Sequence, residues 1–253
     1  MRILLTNDDG IWAKGIEALF EALSGDHEVT VVAPETEQSA VGHAITFLEP
    51  LKVKPVKRNG RFFGYALNGT PADCVKLAVR ELIKPGPELV VSGINLGANV
   101  GVNVIYSGTV SAATEGAVLG LPALAVSIDA FQPRDFRAAT AVVLELIAKI
   151  ERYGLPPGVS LNVNVPDLPP ELVRGCRVTH QGDLKFFESY DRRIDPRQNV
   201  YYWLTGSAPL PDQDPGCDGD VLARHYISIT PVRYDLTAYA ALDALKTWGL
   251  ETD

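Results

Sequence analysis

Two carboxylates, Asp8 and Asp9, stand side by side in Thr6-Asn7-Asp8-Asp9-Gly10, directly after the apolar run Arg2-Ile3-Leu4-Leu5. A buried strand that ends in adjacent anions needs a cation beside it, and hard carboxylate oxygens select a divalent metal. Ser39 and Asn95 follow two later apolar runs and would add neutral oxygens, a set that suits magnesium or manganese rather than zinc. Neighbouring side chains of a strand point to opposite faces, so Asp8 and Asp9 share one ion only if the chain already turns at Asp9, which Gly10 permits. Taken alone, Asp-Asp-Gly is as readily a turn with a helix cap. A second piece of chemistry lies in Tyr106-Ser107-Gly108-Thr109-Val110-Ser111, ahead of an Ala- and Gly-rich helix from about Ala112 to Leu119. Free backbone N–H groups beside small hydroxyls make a phosphate cradle, and equally an ordinary Ser/Thr cap.

Three further stretches invite a chemical reading. His43 is a candidate acid or phosphate donor, against the more frequent fate of a lone histidine as a surface or capped residue. Glu115 lies inside the helix after the cradle, where packing decides its role. Asp212 to Asp220 resembles a calcium loop, but Cys217 replaces the required glycine and Pro215 intrudes, so a solvated turn is expected.

Periodicity indicates which elements position these residues. Ile16, Leu19, Phe20 and Leu23 recur at helical spacing after Gly10, and His27 to Ala33 is a β-branched strand ended by Pro34, so the chain opens with a βαβ unit. The polar loop from Pro34 to His43 then arrives at the same sheet edge as Asp8 and Asp9. Ile45 to Leu67 shows short alternating runs around Arg58-Asn59-Gly60, a hairpin signal; its Lys52, Lys54, Lys57, Arg58 and Arg61 make either a solvated strand face or a phosphate-steering patch. Thr70-Pro71-Ala72-Asp73 starts a helix with an N-cap, a proline and an acid in the first turn. Glu88 to Gly93 is a third buried strand that delivers Asn95, and its glycines match neither a dinucleotide fingerprint nor a P-loop. A strand over Leu121 to Ile128, a long amphipathic helix from Phe136 to Ile150 and strands at Leu161 to Val165, Arg177 to Thr179 and Tyr226 to Thr230 complete a doubly wound α/β pattern. Gly182 to Arg224, with Tyr190, Tyr201, Tyr202 and Trp203 among charges and prolines, reads as a projecting hairpin rather than core. Leu236, Tyr239, Leu242, Leu245 and Trp248 recur every three residues and give a narrow helix stripe suited to docking on a neighbour.

The totals bound the partners. The chain has 253 residues, 46% of them hydrophobic, enough for one large α/β domain. A net charge of -8 disfavours a nucleic acid polymer, whereas a small phosphate ester remains open because one metal offsets its charge locally. No apolar stretch is long enough to span a bilayer, and Cys74, Cys176 and Cys217 are too scattered for a disulfide framework or a zinc knuckle. The expectation is a soluble cytoplasmic protein with reduced thiols and no membrane contact.

The blocks Leu5-Thr6-Asn7-Asp8-Asp9-Gly10, Ala33-Pro34 through Gln38-Ser39-Ala40 to Gly42-His43, Asn68 to Val75, Val91-Ser92-Gly93-Ile94-Asn95-Leu96-Gly97-Ala98-Asn99 and Tyr106 to Ala113 resemble the signature blocks of the survival protein SurE family, and His225 to Pro231 resembles its closing strand. The resemblance implies a metal-dependent 5'-nucleotidase acting on nucleoside monophosphates, with a Rossmann-like, mostly parallel sheet, a β-rich C-terminal extension and a swapped tail in a homodimer or homotetramer. Asp8, Asp9, Ser39 and Asn95 would ligate one magnesium or manganese ion per subunit. Gly93, Ser107, Gly108 and Thr109 would line the phosphate side, with Asp8, Asp9 and Asn95 catalytic. Whether water or an Asp attacks phosphorus stays open, and a non-catalytic nucleotide sensor or an oligomerisation module are the rival readings. The expected organisation is a single domain over 1–253, with a catalytic core at 1–130, a hairpin at 182–225 and an oligomerisation tail at 232–253.

Overall fold

The computed structural model describes residues 1–183, 187–207 and 214–250. Its centre is β1 (Arg2–Thr6), whose residues alternate between two cores: Ile3 and Leu5 face one and Leu4 the other. A strand buried on both faces needs helices on both, and the chain supplies them. Helices α1 (Lys14–Leu23) and α5 (Arg137–Tyr153) bury Ile16, Leu19, Val143 and Ile147 on the first side. Helices α2 (Pro71–Leu77) and α4 (Gly108–Val118), the latter directly after the single turn α3 (Asn103–Tyr106), bury Cys74, Val75, Val110 and Ala113 on the second.

The strands are β2 (Glu28–Pro34), β3 (Val53–Arg58), β4 (Arg61–Leu67), β5 (Leu89–Leu96), β6 (Ala123–Ile128), β7 (Val159–Val165), β8 (Cys176–Val178), the pair β9 (Phe187–Ile194) and β10 (Val200–Ser207), and β11 (Ile227–Arg233). Nine of them form one sheet in the order β3-β4-β2-β1-β5-β6-β7-β11-β8, parallel from β4 to β7. Successive connections from β1 lead to opposite sides, first to β2 and later to β5, so a crevice opens at the carboxyl ends of these strands. Asp8, Ser39 and Asn95 are all delivered to that edge. The sheet turns antiparallel only where β3 caps one edge and β11 follows β7.

Local chemistry explains several boundaries. Thr70 and Asp73 form a reciprocal capping box at α2, and Asp73 also accepts the Thr46 amide, tying the loop before β3 to the helix. Asn59 and Gly60 both have positive φ, the backbone of a type I′ turn between β3 and β4. The expected β excursion is therefore an edge of the main sheet, with strands beginning at Val53 rather than Ile45. Two of its five cations have structural partners: Arg58 lies over the Phe63 and Trp12 rings and pairs with Glu17, while Lys54 pairs with Glu35.

Three expectations need correction. Helix α4 starts at Gly108, not Ala112, because Ser107 caps it by accepting the Val110 amide at 3.1 Å. The stretch read as one hairpin is two things. β9 and β10 do form an antiparallel pair, but Asp218–Ala223 is a helix, α6, whose Val221 and Leu222 are buried beside Cys217. The supposed calcium loop is solvated only in part: Asp214 and Pro215 are exposed, but Asp218 is fully buried and accepts the amides of Gly101, Gly182 and Gly219, while Asp220 pairs with Arg224. Asp212 and Gln213 of that loop lie outside the described residues. In the tail, α7 (Tyr239–Lys246) is exposed along its whole length, and Trp248 lies beyond its end.

A buried carboxylate that satisfies several backbone amides leaves them all unpaired when removed. Asp218→Ala is expected to destabilise the protein by about 3 kcal/mol, read as a lower urea midpoint at unchanged slope; a midpoint within error of wild type would show that those amides find other partners.

Candidate active site

Asp8 and Asp9 follow β1 in a turn closed by Asn7, whose side-chain amide donates to the Gly10 carbonyl at 2.9 Å. Gly10 has φ +93°, so the chain does reverse at Asp9 as the shared-ion reading requires. The first turn of α4 meets Asp8: the Thr109 amide donates to Oδ2 at 3.0 Å and its hydroxyl to Oδ1 at 2.5 Å. An anion at a helix N-terminus is stabilised by these unpaired amides and by the helix dipole. The approach depends on Gly108, since a Cβ there would lie 2.9 Å from the Asp8 Cβ.

Burial raises the Asp8 carboxyl above its ordinary range, opposed by the Thr109 bonds. Asp9 is pushed up to about 7, first by burial, then by the charges of Asp8 and Glu37. Its Oδ2 is buried and has no hydrogen-bond partner among the described residues. Nearby, the Gln38 amide donates to the Asp8 carbonyl at 2.8 Å, bringing in the loop that carries Ser39, whose hydroxyl donates to Glu37 at 2.5 Å. Asn95 donates its amide nitrogen to the Gly97 carbonyl at 2.7 Å, which fixes the side chain at the end of β5.

Asp8, Ser39, Asn95 and Ser107 line one cavity of about 810 Å3, with Asn99, Tyr106, Asp129 and Phe131 further along its wall. Two repelling carboxylates, an orphaned carboxylate oxygen and neutral oxygens from Ser39 and Asn95 fit a hard divalent cation. Among the described residues no three His, Cys, Asp or Glu side chains gather at one point, so the remaining ligands would have to be neutral oxygens or water.

Several sequence-predicted residues take other places. Gly93, Gly108 and Thr109 are not cavity-wall residues. Gly93 lets β5 approach β6, for a Cβ there would fall 2.4 Å from the Val126 carbonyl, and Thr109 spends both its amide and its hydroxyl on Asp8. Asp9 also stands off the wall. His43 donates its Nε2 proton to Glu115 at 2.8 Å and is not a cavity-wall residue, and Lys76 donates to the other carboxylate oxygen at 2.8 Å. Burial alone would raise the Glu115 carboxyl; the bonds from His43 and Lys76 more than offset it and hold it below the ordinary value.

A further layer escaped the sequence reading. The Asn99 carbonyl accepts from Asn162 at 2.7 Å and Asn164 at 3.1 Å, its amide donates to Asn164 Oδ1 at 2.7 Å, and its side chain donates to Ser127 at 2.8 Å. This buried network fixes the cavity segment after Asn95 to the ends of β6 and β7. Its visible signal was the pair of asparagines at alternate positions in an otherwise apolar strand, Leu161-Asn162-Val163-Asn164-Val165.

A carboxylate pair facing a helix N-terminus at the carboxyl edge of a doubly wound sheet defines a Rossmann-like α/β protein with a crevice for a cation and an anionic ligand. The family described as "Survival protein SurE" matches residues 3–188, and the chain belongs to it. It is 67% identical over 250 residues to the 5'-nucleotidase SurE of Syntrophobacter fumaroxidans, covering 99% of this chain and 100% of that one. Identity to the 5'-nucleotidase SurE of Syntrophus aciditrophicus is 53% over 247 residues, covering 97% and 93%. The crystal structure of SurE protein from Aquifex aeolicus superposes with a TM-score of 0.86 at 38% identity, covering 98% of this chain and all of that one.

The raised Asp9 carboxyl links stability to pH. In the metal-free protein the folded value, about 7, exceeds the unfolded 3.8, so the folded state binds more protons between them and stability falls as pH rises through that window. Asp9→Asn is expected to flatten this dependence and to raise the Tm of the metal-free protein at pH 8. A Tm at or below wild type there would show that Asp9 is not repelled in the fold.

Proposed function

We propose that the chain is a 5'-nucleotidase that hydrolyses nucleoside 5'-monophosphates to nucleoside and phosphate. The observation that carries this reading is the convergence of Asp8, Ser39, Asn95 and Ser107 on one cavity, in a chain similar over its full length to proteins named 5'-nucleotidase SurE. Asp8, Asp9, Ser39 and Asn95 would hold one magnesium or manganese ion per subunit, which when bound neutralises phosphate charge and makes a water molecule acidic enough to attack at neutral pH.

The chain's own residues then have distinct tasks. Thr109 holds Asp8 in one orientation through two hydrogen bonds, so this carboxylate is positioned before substrate arrives. One carboxylate of the pair would orient the attacking water and take its proton; Asp8 lines the cavity, whereas Asp9 stands behind its wall and would act through the ion the two share. Ser107 and Asn95 face the phosphoryl group from the cavity wall, where charge grows on the equatorial oxygens as the P–O bond to the nucleoside breaks. The leaving 5'-oxygen takes a proton from solvent.

Assembly through the tail is part of the same proposal. Leu236 and Trp248 are 91% and 69% exposed, and with Tyr239, Leu242 and Leu245 they form an apolar stripe too costly to leave in water. Residues 232–253 would exchange between subunits of a dimer or tetramer, with 1–130 as catalytic core and 182–225 as an accessory region of one domain. No helix among the described residues is long and apolar enough to cross a membrane, and Cys74 and Cys176 are free thiols; a reducing cytoplasmic setting belongs to the same proposal.

Asp8→Asn is expected to lower phosphate release from AMP by at least about 1,000-fold while the far-UV circular dichroism stays that of wild type. EDTA should stop the wild-type reaction and manganese or magnesium restore it. Turnover by metal-saturated Asp8→Asn near the wild-type rate would remove Asp8 from the mechanism, and nucleotide binding with no turnover under any metal would favour a sensor. Sedimentation tests the tail: the full chain should be oligomeric and a chain ending at Asp235 monomeric, whereas a monomeric full chain at micromolar concentration would overturn tail exchange.

A further inference from the structure

We propose that Phe131 is the platform on which the nucleobase stacks, so that the enzyme selects nucleotides over base-free sugar phosphates while discriminating little among bases. The inference rests on the 5'-nucleotidase reading and deepens it. The cavity that begins at Asp8, Asn95 and Ser107 continues without a break to Phe131, and its 810 Å3 exceeds what a phosphate group alone would fill. Phe131 follows β6 and is 82% exposed. A large apolar ring left that open on the wall of a cavity that also holds Asp8, Asn95 and Ser107 is a binding surface in want of a flat apolar ligand.

The ring is also held in place relative to the chemistry. It lies against Gly97, where a Cβ would come within 3.1 Å of the Phe131 Cε1, and Gly97 sits at φ +103°. The Gly97 carbonyl accepts the Asn95 side chain at 2.7 Å, and its amide donates to the Ile128 carbonyl at 2.9 Å, at the end of the strand that leads to Phe131. One glycine therefore braces both the phosphate-side Asn95 and the aromatic ring, which sets the distance between the two ends of a ligand. Tyr190 and Leu204, from β9 and β10, line the same cavity and add an apolar wall from outside the sheet. Stacking tolerates any base because every base has a π-face, whereas a ribose phosphate offers none.

The test compares wild type, Phe131→Ala and Phe131→Trp on AMP, CMP and ribose 5-phosphate with saturating manganese. Because Phe131 is exposed, the variants should fold as wild type does. Phe131→Ala should raise KM for both nucleotides by about tenfold at unchanged kcat, leave kcat/KM for ribose 5-phosphate within about twofold, and be rescued by Phe131→Trp. Equal losses on all three substrates, or no change on any, would overturn the platform. Calorimetric titration with AMP separates this outcome from failure of the nucleotidase reading. If wild type releases no phosphate from any substrate, that reading fails, while AMP affinity that drops in Phe131→Ala supports the platform and affinity that does not drop refutes it.

Discussion

Two adjacent carboxylates buried at the end of one strand are the constraint on which the rest of the structure depends. Burial disfavours each charge and each charge disfavours the other, so Asp8 and Asp9 both hold their protons more tightly than free carboxylates do. The protein meets half of this cost with its own groups. The first turn of α4 delivers an amide and a hydroxyl to Asp8, and that requires a helix able to come close: Gly108 at the contact, then a run rich in alanine and glycine that packs tightly on β5 and β6. The other half is left open at Asp9, whose second oxygen has no partner among the described residues. A cation is the ligand that relieves both carboxylates at once.

The same constraint accounts for the buried polar layer behind the site. A segment that presents Asn95 to a cavity cannot be a free loop, because its backbone amides and carbonyls are out of water and need partners. Asn162 and Asn164 supply them for the Asn99 backbone, Ser127 accepts the Asn99 side chain, and Asp218 accepts the Gly101 amide. These bonds span sequence separations of 28 to 117 residues, so the segment is rigid only when the whole parallel sheet and α6 are in place. Site geometry and global folding are thus one cooperative event.

This also decides what could be read from the sequence. The doubly wound pattern was legible because helical and strand periods differ and both were clean, and the α2 capping box and the Asn59-Gly60 turn were legible because their chemistry is local. The convergence of Asp8, Ser39, Asn95 and Ser107 followed from topology: parallel strands bring their carboxyl ends to one edge. What the sequence could not show was decided by contacts distant in it. The family resemblance sets Thr109 on the phosphate side, and the structure adds that Asp8, 101 residues away, takes both its donors. Gly93 matched a motif, but its reason for being glycine is the Val126 carbonyl on the neighbouring strand. Helix α6 has six residues among prolines and acids, and nothing in so short a run signals a helix until Val221 and Leu222 find the core.

One electrostatic consequence reaches the chemistry. The chain carries a net charge of -8, and the cavity wall contributes two carboxylates, Asp8 and Asp129, with no lysine or arginine among its described residues. A dianionic phosphate ester would be repelled by such a wall, and at the N-terminus of α4 the Thr109 amide is already occupied by Asp8. Under the proposed function, phosphate recognition would fall to Ser107, Asn95 and the cation that the carboxylates would hold, so loss of that cation would weaken substrate binding as well as catalysis. An apolar contact with the far end of the substrate is then of particular value, because it adds affinity that neither the net charge of the chain nor the ionic strength reduces. The exposed Phe131 ring, set by Gly97 at a defined reach from Asn95, is placed where such a contact can act.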